Sequence, residues 1–206
     1  MINDRALMVC IEKCIECFDN NEKLKERVLH NAFVQNQTVD KDIALIRVTL
    51  LNTFYSTRLN NTESKSKTID VQAMALRIAA KPDLEIMLHS KNAEERMDAY
   101  RYIATGKDAD NKKYNAAWSF ASKYCSFCNE NDFPIMDSNA RKKLCELNDK
   151  YSFYPEKITP TKIEDYESFC NVHNSFLECL PKRPNGEQYT PKLIDKYLWY
   201  STKHGL

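Results

Sequence analysis

The length and composition of this chain favour a mostly helical protein with a substantial core. It has 206 residues, of which 43% are hydrophobic and only three are glycines, whereas tight turns and sheets commonly use more glycine. The formal net charge of +1 excludes a global electrostatic attraction to nucleic acid, so any nucleic-acid-binding surface has to be a local patch.

The sequence predicts no membrane segment and no signal peptide. No stretch reaches the roughly twenty apolar residues that span a bilayer. The start, residues 1–5, lacks the basic segment and the long apolar stretch of a secretory signal. We therefore expect a cytoplasmic protein, and we expect it to be a monomer.

Eight cysteines are many for a cytoplasmic protein, and two groups of them have the spacing of metal ligands. Cys10, Cys14 and Cys17 match a three-thiolate iron–sulfur set, and Cys125 and Cys128 match half of a zinc site. Both groups also lie in helical patterns, where cysteine packs as a small apolar residue. We prefer this packing interpretation and predict that the protein needs no metal and no cofactor.

In the first half of the chain, a helical pattern near the N-terminus is followed by a helix that Asp40 or Asp42 can cap. The polar run after that helix, residues 55–67, cannot pack and is predicted to be a loop. A further helix is predicted to end before Pro82, and the next one near Gly106. The apolar stripes of these four helices comprise Leu7, Cys10, Cys14, Cys17 and Phe18; Ile43, Ile46, Leu50, Leu51 and Phe54; Val71, Met74, Ala75 and Ile78; and Met97, Tyr100 and Ile103.

The second half begins with a charged segment that we expect to be exposed, and a helix with a buried face follows. Pro134 then forces an extended link, after which Asp137 or Ser138 caps the next helix. A long helix is closed by Pro181, and the pair Thr190–Pro191 opens the last helix. The apolar faces of these helices comprise Tyr114, Ala117, Trp118, Ala121 and Cys125; Ala140, Leu144 and Leu147; Ile163, Tyr166, Phe169, Cys170, Phe176 and Leu177; and Ile194, Tyr197, Leu198 and Trp199.

Lys123 and Asp137 are the residues that point to chemistry. A lysine attacks carbon only through its uncharged amine, so burial or a cationic neighbour has to disfavour the charge. Lys123 follows the apolar residues Trp118, Phe120 and Ala121, so we expect it to be at least partly buried. An aspartate at a helix N-terminus meets free backbone N–H groups that keep it ionised. Asp137 is therefore suited to stabilise an oxocarbenium-like sugar while the amine captures C1′.

This order of residues resembles the helix-hairpin-helix DNA glycosylase superfamily, and in particular its 8-oxoguanine DNA glycosylase branch. The resemblance rests on a helix with a lysine, an extended link ending in Pro-x-x-Asp and a further helix, and it covers about residues 40–149. It implies that Lys123 is the nucleophile and that Asp137, 14 positions later, is the essential carboxylate. It also implies an all-α, two-lobed helix-hairpin-helix glycosylase-like fold, formed by one helical unit of residues 1–206, with the active site in the cleft between the lobes.

The same resemblance implies a partner, DNA that contains a modified base, and residues that contact it. In the 8-oxoguanine branch, the loop after an early helix inserts an asparagine into the space left by the extruded base. Asn60, with Arg58 beside it, is the matching position here. The other expected DNA-binding residues are Ser122, Arg141 and Lys142, and the expected residues of the base pocket are Tyr55, Trp118 and Trp199.

Two functions are open at this point. The first is a DNA glycosylase with AP lyase activity, which excises a modified base by lysine attack on C1′ with formation of a Schiff base. The second is a catalytically silent helical module that binds nucleic acid or a protein and keeps the glycosylase shape. The intact pair of Lys123 and Asp137 favours the first. Residues 119–122 contain no glycine where the family has Gly-x-Gly before its lysine, which favours the second.

Overall fold

The computed structural model of the chain describes residues 1–34, 39–57, 59, 69–106 and 117–206. No strand occurs among these residues, so the predicted all-α class is confirmed for them. None of their helices is long and apolar enough to cross a lipid bilayer. The helices of the described residues are α1 (Arg5–Val34), α2 (Lys41–Tyr55), α3 (Val71–Ala79), α4 (Leu84–Leu88), α5 (Ala93–Thr105), α6 (Trp118–Cys128), α7 (Ser138–Tyr151), α8 (Tyr166–Cys179) and α9 (Pro191–His204).

Side-chain caps begin several helices at the predicted positions. The carboxylate of Asp40 accepts hydrogen bonds from two N–H groups in the first turn of α2. Asp137 accepts one in the first turn of α7, and Thr190 accepts one in α9, where Pro191 is the first helical residue. These bonds satisfy N–H groups that have no partner within the helix. The predicted starts of α2, α7 and α9 are therefore confirmed.

Helix α5 ends at the predicted glycine, and the structure gives two reasons for that residue. Gly106 has a φ of 75°, in the left-handed region that glycine adopts without strain. A Cβ at this position would lie 2.6 Å from Nε of Arg77, whose Nη1 donates a hydrogen bond of 3.0 Å to the carbonyl of Ile103. A larger residue at 106 would therefore displace the arginine that caps α5.

Three helices differ from the pattern-based prediction. Helix α1 continues far beyond Phe18, because residues 22–27 are good helix formers although they lack an apolar stripe. Helix α4 was not predicted, since five residues are too few for a periodic pattern to emerge. Helix α8 begins at Tyr166 and not at Ile163, because the side chain of Asp165 caps it.

The described residues fall into two compact units, and the one formed by Leu24–Asn129 is called the central unit here. In the central unit, α2 packs against α3 and α6, and α5 packs against α4 and α6. Lys123 lies in this unit. Its fully buried apolar side chains include Val48, Leu51, Met74, Leu88, Ile103 and Tyr124.

The second unit, called the terminal unit here, consists of Met1–Lys23 and Glu130–Leu206. In it, α7 packs against α8 and α9, and α8 packs against α9. The N–H of Ile2 donates a hydrogen bond of 2.7 Å to the carbonyl of Cys179, which ties the start of the chain to the end of α8. Asp137 lies in this unit. Its fully buried apolar side chains include Ile11, Leu144, Phe169, Phe176, Ile194 and Leu198.

Candidate functional site

The amine of Lys123 is buried within the central unit. The residue is only 3% exposed. Its Nζ donates a hydrogen bond of 2.7 Å to Oγ of Ser119 and lies 3.4 Å from the carbonyl oxygen of the same residue. Because residues four positions apart share one face of a helix, α6 itself holds the amine beside the serine. The expected burial of Lys123 is confirmed.

An aromatic ring lies next to this amine. Nζ of Lys123 is 6.0 Å from the centre of the Tyr55 ring, at the outer range of a cation–π contact. The hydroxyl of Tyr55 donates a hydrogen bond of 2.6 Å to Oε1 of Glu26, and its ring packs edge-on against Phe127 at 5.8 Å. The ring is therefore held from two sides. This arrangement combines an amine with an aromatic face, and such a face can stack on a nucleobase.

A buried polar cluster around Arg47 was missed by the sequence analysis. Arg47 is 0% exposed, and its Nη1 lies 2.7 Å from Oε1 of Glu85 and 3.3 Å from the hydroxyl of Tyr124. Its Nε and Nη2 donate hydrogen bonds of 3.0 Å to the carbonyls of Ala32 and Phe33, in the last turn of α1. The guanidinium therefore satisfies carbonyls that have no partner within α1.

Two neighbours of Arg47 are kept neutral by their surroundings. Burial raises the pKa of the Tyr124 hydroxyl and of the Cys128 thiol well above their usual values. Cys128 is therefore a poor candidate for a reactive thiolate. The Arg47 cluster is explained by its structural role. One sequence pattern could have identified this cluster. Arg47 lies on the same face of α2 as the apolar residues Ala44 and Leu51, and a charged residue on an apolar face indicates a buried polar contact.

Asp137 caps α7 in the terminal unit. Its Oδ1 accepts a hydrogen bond of 2.9 Å from the N–H of Ala140, and the residue is half-buried. The segment before it, Phe133 to Met136, is buried. The predicted capping role is confirmed, and the predicted chemical role stays a prediction.

The other candidate residues of the central unit differ in exposure. Ser122 is fully buried, and its hydroxyl donates a hydrogen bond of 3.1 Å to the carbonyl of Ser119. Trp118 is 39% exposed and stacks on Tyr100, with ring centres 5.8 Å apart. Arg58 and Asn60 lie outside the described residues. The DNA-binding and base-pocket roles of these residues stay predictions.

The remaining candidates lie in the terminal unit together with Asp137. Arg141 is half-buried and donates a hydrogen bond of 3.0 Å to a backbone carbonyl beyond α7, whereas Lys142 is exposed. Trp199 packs edge-on against Phe18 at 5.4 Å, and Nζ of Lys203 lies 4.2 Å from its ring centre. Nζ of Lys142 lies 3.9 Å from Oε1 of Glu146, and its side chain is more exposed than that of Arg141.

The cysteines with metal-like spacing are free thiols. Cys10, Cys14 and Cys17 follow one another along α1, where burial raises the pKa of Cys14 to about 12. Cys125 and Cys128 follow one another along α6. Within the described ranges, no group of three or more histidine, cysteine, aspartate or glutamate residues is arranged to hold a metal ion.

Comparisons with known proteins match most of the chain. The model of the family HI_0787_N, described as an N-terminal domain, matches residues 10–132. That stretch contains the whole central unit with Lys123 and ends before Asp137. A curated protein of Haemophilus influenzae with the name "Uncharacterized protein" is 28% identical over 155 residues, which cover 72% of this chain and 67% of the relative. No solved structure matches the chain.

Proposed function

The chain belongs to the HI_0787_N family, and for this member we propose a DNA N-glycosylase with AP lyase activity. In the proposed reaction, the neutral amine of Lys123 bonds to C1′ of the sugar while the N-glycosidic bond breaks and the base leaves with the bonding electrons. The departing base takes a proton from water. One amine proton moves by way of water to O4′ as the C1′–O4′ bond opens, which leaves a protonated Schiff base between the lysine nitrogen and C1′. Water then takes a proton from C2′, and the 3′-phosphate leaves with the electrons of the C3′–O bond in a β-elimination. Hydrolysis of the Schiff base by water releases the lysine.

Asp137 has the second role in the proposed reaction. Its carboxylate stabilises the positive charge that develops on the sugar as the base departs. The hydrogen bond of 2.9 Å from the N–H of Ala140 holds this carboxylate at the start of α7. In the proposed reaction the side chain acts electrostatically and forms no bond to the substrate.

The observation that carries the proposal is the buried amine of Lys123 beside Ser119 and Tyr55. Burying a lysine is costly unless its amine is hydrogen-bonded, and burial disfavours the charged form. A lysine that must react as a neutral amine benefits from such surroundings. Tyr55 adds an aromatic face 6.0 Å from the amine, which suits the binding of an extruded base.

The proposal also covers the fold, the oligomeric state, the cellular location and the partner of the enzyme. It includes the two-lobed helix-hairpin-helix glycosylase-like fold, a monomeric and cytoplasmic enzyme, and DNA with a modified base as the partner. Lys142 and Arg141, in the first turn of α7, supply phosphate contacts in this scheme. The chemistry rests on side chains alone.

The second candidate function is a catalytically silent helical module that binds nucleic acid or a protein. It is favoured by the fact that both key residues have a structural role. The amine of Lys123 is hydrogen-bonded within its own helix, and the carboxylate of Asp137 caps α7. A structural role is sufficient to explain why each of these side chains is present.

Trapping with borohydride separates these two functions. Single- and double-stranded oligonucleotides, each with one modified base or one abasic site, are incubated with the protein and sodium borohydride, which reduces a Schiff base to a stable amine. The glycosylase proposal predicts a covalent protein–DNA adduct with at least one oligonucleotide. If the wild-type protein releases no base and forms no adduct across the panel, the glycosylase proposal is wrong, and retained binding of the same oligonucleotides would support the binding module.

A matched lysine controls for the loss of a positive charge. Lys81 also lies in the central unit, is partly buried, and has its Nζ 5.3 Å from the ring centre of Tyr102. Lys81→Gln should form the adduct at the wild-type rate, whereas Lys123→Gln should form none. An adduct of undiminished yield with Lys123→Gln would show that another amine is the nucleophile.

A further inference from the structure

The segment that leads to Asp137 is a buried, extended link. Phe133 is 2% exposed, Ile135 8% and Met136 4%. Buried backbone outside a helix or sheet has to find hydrogen-bond partners elsewhere, because an unpaired N–H or C=O group is costly away from water. The partners of this link therefore determine its position.

Two side chains of the terminal unit supply these partners. The hydroxyl of Tyr166, in the first turn of α8, donates a hydrogen bond of 2.8 Å to the carbonyl of Pro134. The N–H of Ile135 donates one of 2.8 Å to Oδ2 of Asp195 on α9. Both bonds are buried. They fix the peptide group between Pro134 and Ile135 at its oxygen and at its nitrogen.

The choice of an aspartate at position 195 needs an explanation beyond packing. Asp195 is only 7% exposed, and its Oδ1 lies 3.7 Å from Nε2 of His173 on α8. Burial lowers the pKa of His173 to about 4, so the imidazole is neutral at neutral pH. A buried carboxylate carries a desolvation cost that an asparagine would avoid. An ionised acceptor, however, makes a shorter and stronger bond to the N–H of Ile135 than an amide does.

We infer that Asp195 and Tyr166 are positioning residues, which hold the link of residues 133–136 and thereby set the position of the Asp137 carboxylate. The inference rests on the proposed function, since it concerns the role of Asp137 in base excision. Ile135, whose N–H belongs to the anchored peptide group, is only two residues before Asp137. On the C-terminal side of Asp137, the cap bond to the N–H of Ala140 holds its side chain at the start of α7. Loss of either anchor shifts the carboxylate without removing it, and a displacement of about 1 Å can reduce a rate by roughly a hundredfold.

Three substitutions test this assignment. Tyr166→Phe removes one hydroxyl and keeps the ring that stacks on Phe169. Asp195→Ala removes the acceptor, and Asp195→Asn keeps a weaker one. The matched control is Ser201→Ala on α9, because the buried hydroxyl of Ser201 donates to the carbonyl of Leu198 and not to the link.

The expected result is a change in rate without a change in binding. Under single-turnover conditions, Tyr166→Phe and Asp195→Ala should excise the base about tenfold or more slowly, with a Kd for the same duplex within about twofold of wild type. Asp195→Asn should recover part of the rate, and Ser201→Ala should excise normally. Excision at the wild-type rate by both Tyr166→Phe and Asp195→Ala would overturn the inference.

A double-mutant cycle distinguishes positioning of Asp137 from a general loss of structure. If Asp195 acts through Asp137, then Asp195→Ala should reduce the rate by less than about twofold in an Asp137→Asn background. The same holds for Tyr166→Phe, which serves if Asp195→Ala does not fold. If the rate falls by the same factor in the wild-type and Asp137→Asn backgrounds, these residues do not act through Asp137, and the inference is overturned.

Hydrogen exchange tests the positioning without any activity. The N–H of Ala140 is protected by its bond to Asp137, so a displaced aspartate should expose it. We expect Tyr166→Phe and Asp195→Ala to speed exchange at Ala140 by at least about fivefold relative to Ser201→Ala. Unchanged exchange would overturn the inference whatever the activity. If the wild-type protein excises no base, the proposed function fails, and the exchange rates alone decide whether the link positions Asp137.

Discussion

Nζ of Lys123 lies 2.7 Å from Oγ of Ser119, one turn earlier on the same face of α6. The serine side chain therefore orients the amine proposed as the nucleophile.

Replacing Ser119 should slow the attack of the Lys123 amine, and Lys123 should remain the nucleophile. Ser119→Ala removes a hydrogen bond worth about 1 kcal/mol, so we expect roughly fivefold slower formation of the borohydride adduct. Ser119→Thr keeps the hydroxyl and should react at nearly the wild-type rate. Adduct formation is followed over time on denaturing gels. Equal rates for Ser119→Ala and wild type would mean that the serine does not orient the amine.

The two roles of Asp137 can be separated by an asparagine substitution. Asparagine and aspartate are comparable helix caps, so Asp137→Asn should leave the free energy of unfolding within about 0.5 kcal/mol of wild type. Loss of the negative charge should slow base excision by about a hundredfold with DNA binding retained. Single-turnover excision and urea denaturation measure these two quantities.

Asp165→Asn is the matched control for Asp137→Asn. Asp165 caps α8 in the same unit, where it accepts a hydrogen bond of 3.1 Å from the N–H of Ser168. This variant should keep both stability and excision. If Asp137→Asn also keeps full single-turnover excision, Asp137 acts only as a helix cap.

Arg47 should contribute more to stability than any exposed ion pair. Arg47→Met keeps the bulk of the side chain but leaves Glu85 and two carbonyls of α1 without the guanidinium. Breaking a buried pair in this way costs about 3–5 kcal/mol. Arg101→Met, which removes an exposed pair with Asp98, should cost less than about 1 kcal/mol. Urea denaturation checks both values, and similar small losses would mean that the Arg47 cluster is not a stabilising feature.

His173 should make the protein sensitive to mild acid. Its pKa is lowered by burial from 6.5 to about 4, so the unfolded chain binds a proton before the folded one does. The free energy of unfolding is therefore highest above about pH 6.5 and falls until about pH 4, by up to about 3 kcal/mol. Asp195, 3.7 Å away, reduces this loss if it is ionised when His173 becomes charged.

The variant His173→Leu isolates this contribution. It cannot take up the proton, so its free energy of unfolding should fall less than that of wild type between pH 6.5 and pH 4. Urea denaturation at a series of pH values measures the difference between the two proteins, in which the titration of carboxylates distant from His173 cancels. Parallel curves would show that His173 is not responsible for the acid sensitivity.

The sequence predicts the features of this fold that depend on neighbours in the chain. The caps at Asp40 and Asp137, the Thr190–Pro191 start and the stop at Gly106 involve residues within a few positions, and the structure confirms all of them. The burial of Lys123 was also predicted, because it sits among apolar residues on a helix. Local pattern is sufficient for these features.

Contacts between distant residues could not be predicted in the same way. Arg47 pairs with Glu85 and Tyr124, which are 38 and 77 positions away. Ile135 bonds to Asp195 over 60 positions. The spacing of residues in a single sequence does not indicate such pairs, because these residues come together only when the helices pack. The sequence therefore predicts the two catalytic candidates, Lys123 and Asp137, whereas the distant residues that hold the link before Asp137 become visible only in the fold.

The central claim is that Lys123 is the nucleophile of a glycosylase, and mapping the reduced adduct tests it most directly. After borohydride trapping, the DNA is digested, the protein is cleaved to peptides, and mass spectrometry locates the residue that carries the sugar remnant. We expect the remnant on Nζ of Lys123. A remnant on another lysine or on the N-terminal amine, or its absence from every peptide, would contradict it.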